Sequence, residues 1–536
     1  MSSLLVSWAR LEPAQATLFE KFIPYIIATF LLYLIAHRVG DKLSKLPEIN
    51  PRNLFEITDR RRLAEFITRS KSILINGRAQ YPTQPYRAYT DWGDLLIIPP
   101  EYVDEVKNDS RLNFNIPVEE DSHAYVPGFD PFKPDRNVAK LINRHLTKAL
   151  GKDQTKKNRS VAKLVEPISM EAAVVMQQVL TDSPEGFNML KTKDWHGMNP
   201  QLDIMRIVAR MSSRVFMGEE LCRDEEWIRA SSEYTYEGFK VADTLRAYPR
   251  PLRPIIHWFM PSCWQLRQKL DAARTVLKPH IDRRKKLKAE ALARGETVTF
   301  DDSIEWFEKE YSEGHDPATS QISLSLVAIH TTTDLLQQTM IDIALYPELL
   351  APLREEVIRV FSTDGLSKVS LYKLVLMDSV IKESQRMRPV VLGMMRRQAM
   401  ADITLRDGFV IKKGTRIIAD VTHMWDTSHY EDPDKYDGYR FLKMRQDPEL
   451  EKRAHLVSTS ESHLGFGHGQ HACPGRFFAA NEIKIALAHL LIKYDWKLPD
   501  EFRLNPTWHG MMISPDPKMR MFIRRRKEEI DISCLS

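Results

Sequence analysis

The sequence predicts a mainly α-helical body with small β-sheets at its edge, preceded by one N-terminal transmembrane helix. Three observations carry that expectation. Apolar residues recur at three-and-four spacing over long stretches of the chain. Alternating patterns are confined to three short hairpin-like segments. An uncharged run of 15 residues, FIPYIIATFLLYLIA at 22–36, stands near the start. The bulk numbers agree with a large globular chain: 536 residues, 43% hydrophobic and 28% charged. Its 77 basic and 72 acidic residues leave a net charge of +5, too mild to point to nucleic acid. No repeat or low-complexity tract interrupts the chain, so it divides into an anchor with its flanks, 1–43, and a body, 44–536.

As a helix, the run 22–36 spans roughly 22 Å. Leu18, Phe19 and Val39 extend it toward the hydrocarbon thickness of about 30 Å. No small-residue cleavage site follows it, which argues against a removed signal peptide. Arg38, Lys42 and Lys45 on its far side place the body in the cytosol. SKLPEINP at 44–51 then reads as a stiff hinge. Residues 86–98, YRAYTDWGDLLII, read as a hairpin turning at Gly93. Segments 137–150, 160–180, 201–217 and 266–294 read as helices, and RRKKLK at 283–288 as a solvated face. A second hairpin is expected over 402–418, turning at Asp407-Gly408, and a third over 510–526 around PDP. No G-x-G-x-x-G follows a strand, so the chain has no dinucleotide site of its own.

The four cysteines, Cys222, Cys263, Cys473 and Cys534, show no disulfide or CxxC spacing. Cys473 lies in GFGHGQHACPGRFFAA, 465–480, and the following segment to 493 is strongly helical. Glycines here let the backbone lie flat against a planar partner. The free N–H groups and dipole of the coming helix favour a thiolate. Such a thiolate is a metal ligand, a nucleophile or plain buried sulfur. Zinc competes, because His463, His468 and His471 are close by, but no second Cys/His pair is evident. Haem iron takes one axial thiolate from a protein.

FGHGQHACPGRFFA resembles the haem-binding loop of the cytochrome P-450 family, F-x-x-G-x-(R/H)-x-C-x-G, matched at Phe466, Gly469, His471, Cys473 and Gly475. The resemblance implies haem b with Cys473 as its iron ligand, Phe466 packed beside the sulfur, and His471 on a propionate. KESQRMRP at 382–389 resembles the family's E-x-x-R, and DGYRF at 437–441 the segment that completes it. A structural triad of Glu383, Arg386 and Arg440 is implied. SLVAIHTTTDLLQQ, 325–338, lies in a long helical run starting near Pro317, with Asp316 as its cap. It resembles the oxygen-binding groove A-G-x-(D/E)-T-T, with Thr331 on the oxygen and His330 in place of the acid. His330 is expected to turn away and hold a water chain or a carbonyl. The resemblance also implies propionate contacts from Arg397 and from His145 or Arg144.

The resemblance covers the chain from anchor to last hairpin. It implies a single-pass protein of the endoplasmic reticulum membrane, fed from NADPH by cytochrome P-450 reductase. HTT and GxHACPGRF are most similar to filamentous-fungal members of specialised metabolism, many of which oxidise terpenoids. Ala328, Ile329, Val391, Leu392, Met394, Met511 and Met512 are apolar candidates to line a site for a bulky lipophilic substrate, and equally candidates for core. The expected activity is monooxygenation. The rivals are a haem-thiolate isomerase or dehydratase needing no reductase, and a non-enzymatic haem or zinc protein.

Overall fold

The computed structural model describes residues 46–147, 164–180, 195–311 and 315–532, apart from Leu54, Phe55 and Ile57, together with Pro24, Tyr25, Ala28 and Thr29. The expected anchor at 22–36 therefore lies almost wholly outside the described residues. Among the described residues, no helix is long and apolar enough to cross a membrane.

The body is mainly helical, as its periodicity requires. The helices that build the site are α1 (Val165–Val179), α2 (Pro200–Cys222), α3 (Glu225–Arg246), α4 (Pro261–Ala293), α5 (Pro317–Leu345), α6 (Val375–Met387) and α7 (Arg476–Lys493). Local chemistry sets their starts. The Asn199 side chain accepts from the Leu202 N–H, that of Asp224 from Trp227, and that of Asp316 from Ala318. Proline at the first position of α2 and α5 costs no hydrogen bond, because those N–H groups have no partner within a helix. Helix α5 is mostly apolar and is buried along most of its length, with Val327 and Thr331 left exposed. It packs against α2, α3, α4, α6 and α7. The basic stretch of α4 faces solvent and acids: Arg284 binds Asp302, and Lys288 bridges Glu305 and Glu308.

Beside this helical core lies a sheet with its own apolar cluster. Strands β1 (Tyr86–Thr90) and β2 (Gly93–Ile98) form the first expected hairpin, with Gly93 at φ +90° in the turn. Strands β3 (Leu112–Asn113), β5 (Gly393–Ala399) and β8 (Arg416–Asp420) complete it in the order β1-β2-β8-β5-β3. Strand β4 is His196–Met198.

The second expected hairpin is shorter than its sequence reading. Only β6 (Ile403–Thr404) and β7 (Val410–Ile411) pair, around Gly408 at φ +84°. Gly414 turns the chain again, and Ile417, Ile418 and Ala419 bury themselves as β8 between β2 and β5. The third expected hairpin is corrected. Its turn is at Gly510, between β10 (Thr507–His509) and β11 (Met512–Ser514), and not at PDP. A Cβ on Gly510 would stand 2.4 Å from the Asp91 carboxyl carbon. Pro515 and Pro517 cannot donate to a ladder, so the strand stops before them. The following segment, β12 (Met521–Arg525), pairs instead with β4 and with β9 (Tyr494–Lys497).

Candidate active site

The loop before α7 is closed on itself. Cys473 N–H donates to Phe466 O at 2.8 Å, and Gly467 N–H donates to Leu464 O at 2.8 Å. Gly467 and Gly469 have φ of +67° and +76°. At Gly469 a Cβ would lie 2.6 Å from Lys107 Cβ and O, so the loop seats only a glycine there. The half-buried Cys473 is three residues ahead of the first residue of α7. Burial pushes its thiol up, while the Gly475 and Arg476 N–H groups and the Arg476 guanidinium pull toward the thiolate. Arg476 is held in place by its own bonds to Cys473 O (2.9 Å) and Val457 O (3.1 Å).

Beside this loop, His471 stacks on Phe114 with centroids 5.5 Å apart, and the Arg397 guanidinium lies 5.1 Å over the same ring. Arg397 is 4% exposed, donates only to the Arg396 carbonyl, and meets no carboxylate among the described residues. Burial, with Arg396 adding to it, holds its guanidinium down at about 10. Burial and Arg397 together hold His471 down at about 4. A buried cation without a counter-ion is costly. This unpaired charge, over the Phe114 ring that also stacks on His471 of the cysteine loop, fits a planar ligand that carries its own carboxylate.

The zinc reading fares differently. His463 bonds Gln385 Oε1 at 3.0 Å, and His468 bonds Asp104 and Thr459. Among the described residues, the possible cation cluster is Asp104, Glu461 and His468, without Cys473.

Glu383, Arg386 and Arg440 meet behind the loop. Arg386 donates twice to the Glu383 carboxylate, at 2.8 and 2.9 Å, and Arg440 Nε lies 3.1 and 3.2 Å from the same two oxygens. The remaining donors are spent on carbonyls: Arg386 on Met424, Arg440 on Glu431, Asp432 and Lys435. The carboxylate and Arg386 are fully buried, and a buried ion group of this kind holds only when every partner is satisfied.

On α5, Val327 is 61% exposed and Thr331 is exposed, although the helix is otherwise mostly buried. They are one turn apart, so they share one face of the helix that no neighbouring element covers. Thr331 Oγ1 donates to Val327 O at 3.1 Å, leaving its lone pairs for another donor. Thr332 and Thr333 are buried. The His330 ring stands edge-on to Phe239, centroids 5.9 Å apart at 90°. Burial keeps that imidazole below its ordinary value.

The segments 390–394 and 511–513 lie side by side, through Leu392 N to Met511 O at 2.8 Å and Ile513 N to Val390 O at 2.9 Å. Val391 bridges to Met512. Leu392 and Met511, read as lining, are instead fully buried in the core beside the sheet. Ala328, Ile329, Val391, Met394 and Met512 keep exposed surface. The structure also does not bring His145 to the cysteine loop: it stacks on Trp306 with centroids 4.5 Å apart, and Arg144 pairs with Glu310. Phe114, Phe239 and Arg476 escaped the sequence reading. Only Arg476, three residues after the cysteine, carried a signal that could have found it.

The cytochrome P-450 family model matches residues 94–522. The cytochrome P-450 monooxygenase eqxH of Fusarium heterosporum is 51% identical over 513 residues, 95% of this chain and 96% of that protein. The cytochrome P-450 monooxygenase ptmU of Penicillium ochrochloron is 39% identical, covering 92% of this chain and 94% of its own. Among solved structures, the haem domain of cytochrome P-450DA superposes with a TM-score of 0.67 at 16% identity, covering 90% of this chain and 97% of that one, a likeness of fold. With a family match over most of its length and relatives this near, the chain belongs to the cytochrome P-450 family and is a haem-dependent monooxygenase.

Proposed function

We propose that this monooxygenase inserts one oxygen atom of O2 into a bulky lipophilic substrate, a terpenoid or meroterpenoid intermediate of fungal secondary metabolism. The observation that carries the reading is the Cys473 thiol ahead of α7, with Arg397 lacking a carboxylate partner and sharing the Phe114 ring with His471 of the same loop. Cys473 would hold the iron of haem b through its sulfur, and Arg397 with His471 would hold a propionate. Phe466 fixes the sulfur through its carbonyl bond to the Cys473 N–H. Glu383, Arg386 and Arg440 brace the fold behind the loop. A haem bound through the thiolate supplies dioxygen activation and the attack on an unactivated C–H bond. The chain supplies the rest: Thr331 Oγ1 accepts a proton-carrying water, and α5 keeps bulk water away from that oxygen. Ala328, Ile329, Val391, Met394 and Met512 present apolar surface to the substrate.

Electrons come from NADPH through cytochrome P-450 reductase, since the sequence carries no nicotinamide motif. An anchor at 22–36 tethers the body to the endoplasmic reticulum membrane. Support comes from an exposed apolar patch on the segment between α3 and α4, including Trp258 at 61% and Phe259 at 82% exposed, flanked by Arg250 and Arg253. The test is the carbon-monoxide spectrum of reduced wild-type and Cys473→Ala protein, followed by incubation of membranes with a terpenoid panel and NADPH. A thiolate-type spectrum in the Cys473→Ala variant would sink the ligand assignment. Product formed without NADPH and reductase would favour the isomerase or dehydratase.

A further inference from the structure

Helix α5 carries one more ionisable group on the stripe of Val327 and Thr331. Asp334 lies three residues beyond Thr331, about 60° around the helix and nearly one turn along it. Val327 and Thr331 are exposed, and Asp334, next along the same stripe, is half-buried. The next residue on the row, Gln338, is buried. Gln338 and, one turn further, Asp342 both hold the Arg388 guanidinium. That cation is therefore spent beyond Asp334, which forms no hydrogen bond or ion pair with a protein group among the described residues. Two carboxyl groups on the packed helices α6 and α7 face other partners. Glu482 on α7 accepts from Ser212 Oγ at 2.7 Å, and Glu383 on α6 is held by its two arginines. The neighbouring His330 ring faces Phe239 on α3.

We propose that Asp334 is the carboxylic acid that supplies protons to water held on the Thr331 hydroxyl during turnover. This rests on the reading above, in which Thr331 serves the oxygen chemistry. The Thr331 hydrogen is committed to Val327 O, so its oxygen accepts from a water and orients it. Asp334 gives its proton to that water and is left a carboxylate, while the water passes one of its own protons on to the oxygen under reduction. It regains a proton from bulk water, and no electron moves in the step. Burial, opposed only by Arg388, pushes the carboxyl up to about 7, where acid and carboxylate coexist at neutral pH.

Two variants test the assignment, Asp334→Asn and Asp334→Glu. The first readout needs no turnover. A carboxyl raised this far stabilises the fold fully below its ordinary value and loses that contribution as pH rises through about 7. The melting temperature of Asp334→Asn should therefore climb relative to wild type between about pH 5 and about pH 8. A difference that stays flat with pH overturns the proposal. The second readout is peroxide released per NADPH consumed, by holoprotein with reductase, across the same pH range. Asp334→Asn should release several-fold more peroxide and lose the wild-type pH dependence near neutrality, while Asp334→Glu restores both. Wild-type peroxide yield and pH profile in Asp334→Asn, or equal loss in both variants, refutes the assignment. Should the Asn variant not fold, the Glu variant and the protonated-carboxyl infrared band of wild type still decide whether the acid is there. Failure of the underlying reading shows separately, as a wild-type holoprotein without the thiolate-type spectrum.

Discussion

Replacing Arg397 by methionine should move the apoprotein and the holoprotein in opposite directions. The guanidinium is held well below its ordinary value, down to about 10, chiefly by burial. That fall corresponds to about 3 kcal/mol against the charged fold. The folded value lies below the unfolded one, so the cost is present in full at neutral pH and fades only as pH climbs through about 10. Against this stands the contact over Phe114, worth about 1 kcal/mol. Arg397→Met should then stabilise the apoprotein by about 2 kcal/mol. With haem bound, the same change leaves a buried propionate unpaired, at about 3–5 kcal/mol. Haem should leave on the order of a hundredfold faster or more. Urea unfolding of apoprotein gives the first quantity, and transfer of haem to apomyoglobin gives the second. An apoprotein destabilised by the change, with an unaltered haem-transfer rate, would show that Arg397 is a packing residue and no propionate partner.

Three further outcomes are expected. Glu383→Gln leaves two guanidiniums around a neutral amide and should lower stability by about 3–5 kcal/mol, read as a shifted urea midpoint with an unchanged slope. An unmoved midpoint would refute the triad's bracing role. Gly469→Ala forces a side chain into a left-handed backbone, at about 1–2 kcal/mol, and into Lys107 at 2.6 Å. Its fraction of protein showing the thiolate-type spectrum should drop, and full haem loading would contradict the seating of the loop. Burial pushes Glu482 up to about 8, with the Ser212 bond opposing it. The neutral acid thus stabilises the fold fully below its ordinary value, and that contribution drains as pH rises through about 8. Glu482→Gln, which still accepts from Ser212, should gain melting temperature on wild type as pH rises. A pH-independent difference would mean the carboxyl is ionised in the fold.

How much of this was legible in the sequence depends on what fixes each feature. Helices α4, α5 and α7 follow from periodicity, and α5 also from its Asp316 cap, all of them local signals. The Gly93 and Gly408 turns follow from a local backbone demand. The cysteine loop was legible because glycine, cysteine and helix start are crowded into one short segment. The course of β8 and β12 was not, since a strand's partner is chosen by which edge buries its apolar face. Ile417 finds Leu96, more than three hundred residues away in the chain, and no turn residue announces that. Phe114 belongs to the site only through a ring that reaches both His471 and Arg397. Leu392 and Met511 show the converse failure: hydrophobicity marks a residue as buried and says nothing of whether ligand or protein buries it.

That last ambiguity is resolved by groups which the fold leaves unsatisfied. A protein optimised only for stability would pair or delete Arg397 and Asp334, for each is an ionisable group in a low-dielectric place without a bound partner. Both stand on surfaces that enclose the Cys473 loop and the exposed face of α5, whereas the equally charged Glu383, Asp378 and Asp302 are fully paired elsewhere in the body. The unpaired pair have opposite chemistry: a fixed cation suited to an anionic group that stays, and an acid near neutrality suited to a proton that leaves. Burial explains the shift of each, but not why the shift is tolerated. The proposed use would explain that, with one group completed by the cofactor's carboxylate and the other giving up and regaining a proton in each cycle. The prediction that joins them is a double variant. Arg397→Met and Asp334→Asn share no partner, so their stability effects in apoprotein at neutral pH should add within about 0.5 kcal/mol. Their functional effects should stay distinct, haem loss for the first and peroxide release for the second. A double variant whose peroxide yield follows haem loss alone would mean that Asp334 acts through cofactor seating, and the separation of roles would fall.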